Sequence, residues 1–536
     1  MHDHASRIHA LATVFVLAVT VLLSSCSPDW PAFRHNILRT GAQLNHGPLT
    51  DPAKVQGLHV AWTFPASAGV PVTPAPVAFR ASPVVYNNMI YIGNGNGYFY
   101  AINAADGTLK WQYPPAGSPP LDPVAHLYGN LSEWGIASSA TVTTIGGTDA
   151  VVFGAPDRSI GAHLGSGRLF ALNAQTGAEI WKSPEIAVLL NDPYTHEQIG
   201  YSSPLVLNDH VYIGIGDHGD DPIQRGKVVA VHLADGTIDA GFSFVSTGPP
   251  RGGGVWGSVA GLDAIYVATG NANIGGVEPV PNHGLSLLRL DWNTGAIVWK
   301  WQPVPYALDD DPDWTATPSV MLASCGVVAV STQKDGWTWA VNAGDGTAGP
   351  ASVKWAFPPG AWSATGFHPG DGTSHSDMRY VRPGAAWDDV YITQTGGLPV
   401  TTDVMDGFKH LYALNACASE ADRIRWIKDV PSSGGGWYSL GAPTVTHGVV
   451  FVGTDQGHLV AIGDPSIVPP DGWRCANPAV PTASCVANGL PLVPDPHVLA
   501  DVALGGGAIN TEPAIVGDPV YVSTDGGKVF RLDPGP

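Results

Sequence analysis

Four residues near the middle of the chain have side chains suited to acid–base, cation-binding and ring-binding chemistry: Trp256, Asn271, Asp313 and Lys334. A positioned carboxylate can remove the proton of a substrate hydroxyl, and carboxylate and amide oxygens are the ligands that calcium prefers. A lysine ammonium stabilises negative charge on a nearby oxygen, and an indole offers a flat apolar surface to a planar ring.

The sequence around each residue separates this interpretation from a purely structural one. Trp256 follows three glycines and precedes a predicted inner strand, whereas a tryptophan that only packs between repeats belongs on an outer strand. Asn271 ends an apolar strand, although asparagine is also common in turns. Asp313 closes an acidic stretch whose first members, 309–311, read as a solvated loop. Lys334 lies in a hairpin, where a lone lysine usually faces solvent.

The elements that must position these residues are short strands in a repeated unit. In three copies an apolar strand is followed by a turn ending in glycine, and a tryptophan lies four residues after that glycine: Gly107 and Trp111, Gly177 and Trp181, Gly295 and Trp299. Glycine supplies the positive φ of a tight turn. We expect the tryptophan to begin the outermost strand and to pack between neighbouring units.

Eight copies of this strand are recognisable, at 99–103, 169–173, 229–231, 288–291, 339–342, 411–415, 459–462 and 529–533. They predict an all-β fold, an eight-bladed β-propeller with tryptophan-docking repeats, over residues 58–536. The last copy reaches the C-terminus without an outer strand, so residues 58–65 should complete that blade. Inserted loops should gather on one face and carry specificity.

The composition agrees with a large exported repeat protein. Of 536 residues, 44% are hydrophobic and only 13% are charged, while 66 glycines and 47 prolines suit many turns. The formal net charge of −20 repels a phosphate backbone, so we expect no nucleic-acid partner.

The N-terminus resembles a lipoprotein signal peptide. An apolar run at 11–23 is followed by Ser24, Ser25 and Cys26, as at a lipobox. We expect residues 1–25 to be removed, Cys26 to be lipidated and residues 26–57 to form a tether and opening segment. The mature protein would then lie in the cell envelope, held to the membrane by its lipid anchor only. An ordinary signal peptide and a short uncleaved anchor are the alternatives.

Four further cysteines favour disulfides in an oxidising compartment. Cys475 and Cys485 are close together in a proline-rich insertion and are expected to pair, which leaves Cys325 with Cys417. For the second pair, buried free thiols are the alternative. The sequence contains no Cys-x-x-Cys-His, so the chain carries no c-type haem of its own.

Taken together, these motifs resemble the pyrroloquinoline-quinone (PQQ)-dependent alcohol dehydrogenase superfamily. The opening segment at 30–41 looks like that of the family, and the repeat matches its tryptophan-docking motif. Residues 265–271 resemble its "YxGTGN" strand, and residues 331–336 resemble "GQKDG". Residues 309–318 resemble the "DPDFGASP" stretch of the polyvinyl-alcohol-dehydrogenase-like branch.

The resemblance implies a role for each of the four residues. Trp256 would form the floor under the quinone, and Lys334 would reach the quinone oxygens. Asn271 and Asp313 would bind calcium, with Asp313 also the catalytic base; Thr315 stands where the lanthanide-using branch has a second aspartate. The implied substrate is a small or polymeric alcohol, and the implied electron acceptor is a separate cytochrome c-like protein.

Two positions depart from the family pattern. Ala162 and His163 stand where a calcium-binding glutamate is expected, and Arg80 replaces a PQQ-contacting glutamate of the methanol-type enzymes. Arginine at this place is usual in the polyvinyl-alcohol branch. The vicinal disulfide of the methanol-type enzymes is absent. Because calcium takes six to eight oxygens, cofactor and water would have to complete its coordination.

A non-catalytic propeller lipoprotein that binds protein partners in the envelope is the alternative function. Such a scaffold needs the docking tryptophans, but it does not need Asn271, Asp313 and Lys334 to converge at the propeller axis. A hydrolase is disfavoured, because the sequence shows neither a paired acid motif nor a nucleophile elbow.

Overall fold

The computed structural model describes most of the chain. The described residues are 28–43, 47–66, 72–121, 135–157, 167–188, 197–216, 226–248, 252–271, 281–303, 313–314, 316–333, 336–344, 353–357, 372–382, 385–395, 409–433, 440–476 and 481–536. Residues 1–25, Cys26 and the lipobox therefore lie outside the described residues. Within them, no helix is both long enough and apolar enough to cross a bilayer.

Eight four-stranded antiparallel units form the predicted eight-bladed propeller. Blades 1 to 3, from inner to outer strand, are Val84–Tyr86, Met89–Gly93, Phe99–Asn103 and Leu109–Tyr113; Thr141–Ile145, Thr148–Pro156, Gly167–Asn173 and Glu179–Lys182; Leu205–Leu207, His210–Ile215, Lys227–His232 and Phe244–Val245. Blades 4 to 6 are Ala260–Gly261, Ile265–Ala268, Leu287–Leu290 and Ile297–Trp301; Ser319–Ala323, Gly326–Thr332, Thr338–Asn342 and Val353–Phe357; Gly372–Arg382, Ala385–Thr395, Lys409–Asn415 and Ile424–Asp429.

The last two blades depart from this simple order. Blade 7 is Thr444–Thr446, Val449–Gly453, His458–Gly463 and His497–Ala503; blade 8 is Ala514–Ile515, Val520–Thr524, Lys528–Asp533 and His59–Phe64. In blade 8 the early strand closes the ring, with Val60 opposite Leu532 and Trp62 opposite Arg531. The prediction that residues 58–65 complete the last blade is confirmed.

The remaining elements are few and short. The helical ones are Pro48–Thr50, Pro52–Gln56, Glu420–Asp422 and Thr482–Ala487, and the other strands are Ala42–Gln43, Gly472–Cys475 and Leu492–Asp495. The last two form a hairpin inserted in blade 7, which the disulfide Cys475–Cys485 joins to the neighbouring helix. A second disulfide, Cys325–Cys417, ties blade 5 to blade 6. In both pairs the Cα atoms are 5.6 Å apart.

The repeated tryptophans join neighbouring blades through one recurring contact. Trp111 packs on Gly177 of blade 2, and its Nε1 donates to the Ala174 oxygen at 3.1 Å. Trp181 packs in the same way on Gly236. These glycines have φ near +72°, so the turn and the contact both require a residue without a Cβ. Each tryptophan lies inside its outer strand, at the third position in Leu109–Tyr113 and in Glu179–Lys182, and not at its beginning as expected.

The N-terminal segment at residues 30–43, here the axial segment, runs along the inner edges of the blades. Its carbonyl oxygens accept hydrogen bonds of 2.7–3.0 Å from the inner strands of five blades, through the N–H groups of Val85, Val142, Gly261, Val320 and Val445. Ala42–Gln43 adds to blade 7 as a fifth, parallel strand. One main-chain donor on the inner edge of each of these five blades is thereby paired.

Two buried arginines extend this contact to blades 3 and 8. The Arg39 guanidinium donates to the oxygens of Val259 at 3.0 Å and Pro204 at 2.8 Å, which belong to blades 4 and 3. The main-chain N–H of Arg34 donates to Oε2 of Glu512, in blade 8, at 2.9 Å. The axial segment therefore holds blades that are not neighbours in the sequence.

A chain of hydroxyl groups links the starts of the inner strands. In each bond a main-chain N–H donates to the hydroxyl oxygen of the corresponding residue in the next blade, at 2.8–3.1 Å. The donors are Glu512, Ser82, Ser139, Ser203 and Ser258, and their acceptors, in the same order, are Ser82, Ser139, Ser203, Ser258 and Thr317. The chain runs from blade 8 through blade 5, so the register of five successive blade contacts is fixed next to the axis.

We predict that Arg39→Met lowers the free energy of unfolding by about 3 kcal/mol, because it leaves several buried carbonyl oxygens without a donor. Urea unfolding measures the change. Lys110→Met is the matched control, since Lys110 is exposed on the outer strand of blade 1. A loss for Arg39→Met as small as that of the control would contradict the structural role of the axial segment.

The stability of the fold should also depend on pH through His35. Burial lowers the pKa of His35 to about 4, so the folded protein keeps this imidazole neutral while the unfolded chain protonates it below about 6.5. Stability should therefore fall as the pH drops from 6.5 towards 4, by up to about 3 kcal/mol from this residue. In His35→Gln the slope of stability against pH in this window should be smaller than in the wild-type protein, and an unchanged slope would contradict the assignment to His35.

Candidate functional site

Three of the four candidate residues lie in loops at one end of the strands. Trp256 lies between the outer strand of blade 3 and the inner strand of blade 4, and Asn271 lies three residues after Ile265–Ala268. Asp313 precedes the inner strand of blade 5, Ser319–Ala323. In each antiparallel blade the inner strand starts, and the second strand finishes, at the same end. The three loops therefore belong to one face of the propeller.

Main-chain hydrogen bonds join the Trp256 loop to its neighbours. The Val255 N–H donates to the Ile215 oxygen at 3.1 Å, at the end of a blade 3 strand. The Gly270 N–H donates to the Gly254 oxygen at 2.8 Å, and the Gly253 N–H donates to the Asn271 oxygen at 2.5 Å. The loop is thus fixed between blades 3 and 4 by its backbone, independently of side chains.

Asp313 completes the group from blade 5. Its side chain is fully buried, and its Oδ1 accepts a hydrogen bond from the main-chain N–H of Asn271. A Cβ on Gly270 would lie 2.7 Å from Asp313 Oδ1 and 3.3 Å from Trp256 Nε1. The structure therefore brings Trp256, Asn271 and Asp313 together around Gly270, although Trp256 and Asp313 are 57 positions apart in the sequence.

The indole of Trp256 lies against glycine backbone. A Cβ on Gly254 would meet its Nε1 at 2.5 Å, and one on Gly216 would meet its Cδ1 at 3.1 Å. The side chain is only partly buried. Close support by glycine together with partial exposure suits an indole that presents a flat surface to a planar ligand such as a quinone.

The oxygen donors suit a hard cation. The Asp313 carboxylate and the Asn271 residue are adjacent, and the contact between them runs through the Asn271 main chain. Carboxylate and amide oxygens match calcium. Ala162 and His163, the positions of the missing glutamate, lie outside the described residues, as does Lys334. Gln333 and Gly336, on either side of residues 334–335, are hydrogen-bonded to each other, with the Gly336 N–H donating to the Gln333 oxygen at 2.9 Å.

A second polar group on the same face involves Arg80. Its Nη2 lies 3.7 Å from Oδ2 of Asp525 in blade 8, and its side chain is hydrogen-bonded to Tyr201, which precedes blade 3. Burial raises the pKa of the Tyr201 phenol, which therefore stays protonated at neutral pH. A side chain preceding blade 1 can reach blade 3 only near the axis, so this group also lies near the axis.

Comparison with known proteins agrees with this architecture. Residues 39–348, more than half of the chain, match the family described as PQQ, "Glucose/ethanol/alcohol dehydrogenase, beta-propeller domain". The protein belongs to this PQQ propeller family. Membership in the PQQ-dependent alcohol dehydrogenase superfamily, expected from the sequence motifs, is confirmed.

Two curated relatives of this PQQ propeller are matched over only part of their length. Quinohemoprotein alcohol dehydrogenase ADH IIB of Pseudomonas putida is 26% identical over 408 residues, which cover 62% of this chain and 54% of the relative. The dehydrogenase subunit of alcohol dehydrogenase (quinone) from Komagataeibacter europaeus is 24% identical, over 50% of this chain and 39% of the relative. The chain thus matches about half the length of these relatives or less.

Two other comparisons concern fold and partial similarity. The quinohemoprotein alcohol dehydrogenase structure from Comamonas testosteroni superposes with a TM-score of 0.62 at 17% identity, covering 95% of this chain and 81% of that one. The outer membrane protein assembly factor BamB of Alkalilimnicola ehrlichii is 27% identical over 30% of this chain and 50% of the relative. At 17% identity, the match to the Comamonas testosteroni structure shows the propeller fold alone.

No sequence motif identifies Tyr201 or Asp525, and Arg80 stands out in the sequence only as a departure from the family pattern. The three residues precede or leave different blades and share no local motif. Their only sequence signal is their place: each lies just before an inner strand or just after a second strand, as Asn271 and Asp313 do.

We predict that Gly270→Ala displaces Asp313 and Trp256, because its new methyl group would overlap the Asp313 carboxylate and crowd the indole. The change should shift tryptophan fluorescence and lower the free energy of unfolding by about 1–3 kcal/mol. Gly344→Ala is the control, since among the described residues no atom beyond its chain neighbours lies within 4 Å of a Cβ at that exposed turn. Unchanged fluorescence in Gly270→Ala would contradict the close approach.

Proposed function

We propose that this protein is a PQQ-dependent dehydrogenase that oxidises an alcohol, with calcium as its metal. The observation that carries the proposal is the convergence of Trp256, Asn271 and the buried Asp313 around Gly270. Membership in the PQQ family and the quinone alcohol dehydrogenases among the relatives support it.

Each residue then has a defined role, and Asp313 has two. Asp313, oriented by the Asn271 N–H, removes the hydroxyl proton of the alcohol. Trp256 supports the cofactor ring, and Lys334 stabilises negative charge at the ring oxygens. Asn271 and Asp313 hold the calcium ion through oxygen. PQQ, when bound, supplies the two-electron acceptor for the hydride of the alcohol carbon.

The sequence without a haem motif implies a separate electron acceptor, which we propose to be cytochrome c-like. We further propose that the protein works in the cell envelope, anchored through lipidated Cys26, on a small or polymeric alcohol. The polymeric alternative rests on the resemblance of residues 309–318 to the polyvinyl-alcohol branch.

A protein-binding scaffold is the second candidate, favoured by the partial similarity to BamB. A scaffold has no use for a buried carboxylate next to a partly exposed, glycine-supported indole. Asp313 therefore distinguishes the two functions.

The test is alcohol oxidation by purified protein supplied with PQQ, calcium and an artificial electron acceptor. Loss of the base in Asp313→Ala should lower kcat/KM about 10²- to 10⁴-fold. Asp518→Ala, at an exposed position in blade 8, should keep wild-type activity. In parallel, an optical titration with PQQ should show weaker binding to Trp256→Leu, which keeps an apolar side chain but loses the flat surface.

Two results would favour the scaffold. One is an Asp313→Ala protein that turns over alcohol at the wild-type rate. The other is a wild-type protein whose spectrum does not change on addition of PQQ, with or without calcium.

A further inference from the structure

A cluster of metal-ligating side chains lies at the far end of blade 3 from the candidate site. His210 begins the strand His210–Ile215, and His232 ends the strand Lys227–His232. Asp239 follows in the connection to the outer strand, Phe244–Val245. Ile215, at the other end of the first strand, contacts the Trp256 loop. At about 3.3 Å per residue, the cluster is roughly 17 Å from that loop along the strand.

Strand pairing places the two histidines side by side. His210 and His232 are directly opposite each other in the antiparallel ladder, so their side chains project from the same face of the blade. Their ring centroids are 4.7 Å apart. The Asp239 Oδ2 lies 3.3 Å from Nε2 of His210.

The three side chains offer one ligand atom each, and all these atoms lie within 4.8 Å of one another. In the part of the chain that the structure describes, this is the one group of three such side chains that meets that spacing. Small rotations of the side chains would bring the atoms to the separations found around a single ion.

The carboxylate is held in place by the backbone of its own loop. The Gly241 N–H donates to Asp239 Oδ1 at 2.8 Å, and the Asp239 N–H donates to the Ala230 oxygen at 2.9 Å. Oδ2 is thereby turned towards the histidines. An oriented ligand with a hydrogen-bonded second oxygen is the usual arrangement in protein metal sites.

Burial leaves the cluster accessible from one side. The His210 and Asp239 side chains are about four-fifths buried, whereas His232 is exposed. An ion can therefore reach the site from solvent, with His232 closing over it. The exposed position of His232 also allows its replacement without disturbing the core.

The structural alternative is a simple ion pair between His210 and Asp239. That pair has no need of a second imidazole, and two protonated imidazoles on adjacent strand positions would repel each other. Two neutral imidazoles with one carboxylate instead form a nitrogen-rich ligand set, which suits zinc and related transition metals and not calcium.

We propose that His210, His232 and Asp239 form a binding site for a divalent transition metal, with Zn²⁺ as its representative and water as the fourth ligand. The ion joins the second and third strands of blade 3 to the connection before the fourth. It therefore stabilises this blade at the face opposite the candidate site. The proposal does not depend on the proposed dehydrogenase function.

Isothermal titration of the full chain with Zn²⁺ tests the site, with His232→Gln as the main variant and Asp239→Asn as the second. We expect one equivalent of Zn²⁺ bound by the wild type to be lost, or weakened at least about tenfold, in both variants. Zn²⁺ should also raise the thermal unfolding temperature of the wild type, because it binds only the folded state, but not that of His232→Gln.

His458→Gln is the matched control. His458 also pairs with a carboxylate, Asp501, at 2.7 Å, but belongs to no such three-residue group among the described residues. This variant should bind Zn²⁺ as the wild type does. That result would show that the loss of any one carboxylate-paired histidine does not by itself weaken Zn²⁺ binding. Equal stoichiometry and affinity in the wild type and His232→Gln would overturn the proposal, as would the same loss in His458→Gln.

Discussion

The structure depends on how the inner edges of the blades are satisfied at the axis. Eight inner strands converge there, and each presents main-chain donors and acceptors on the side away from its own blade. The axial segment accepts hydrogen bonds from five of these strands, and the Arg39 guanidinium donates to carbonyl oxygens of blades 3 and 4. Because unpaired buried main-chain groups are costly, a chain segment running along the axis is a direct solution.

The same arrangement makes the two ends of the axis different. The axial segment and the chain of hydroxyl groups fix the inner strands, and Ser258 in that chain lies two residues after Trp256. The candidate site is thus built next to inner-strand ends that these hydrogen bonds hold in place. At this end the long loops begin, and they are free to vary without disturbing the register of the strands.

Tryptophan performs two tasks in this protein, and in both it is supported by glycine. Trp111 and Trp181 pack on a glycine of the next blade and donate their N–H to a carbonyl oxygen, so they hold the ring of blades together. Trp256 also lies against glycines, but it does so in a loop close to a buried carboxylate. The residue type and its support are shared, and the position in the blade separates structural from functional use.

The sequence by itself determined the local and repeated features. The eight recurring apolar strands predicted eight blades, and the truncated last copy predicted closure by residues 58–65, because each repeat forms the same local structure wherever it occurs in the chain. The family motifs selected Trp256, Asn271 and Asp313, and cysteine spacing favoured the two pairs found bonded in the structure. Only the tertiary structure decided what brings together residues of different blades: Gly270 beneath Asp313, Arg80 beside Tyr201 and Asp525, and the two histidines of blade 3 with Asp239. These contacts depend on the closure of the ring and on strand register, which act over long distances in the chain and leave no periodic signal in a single sequence.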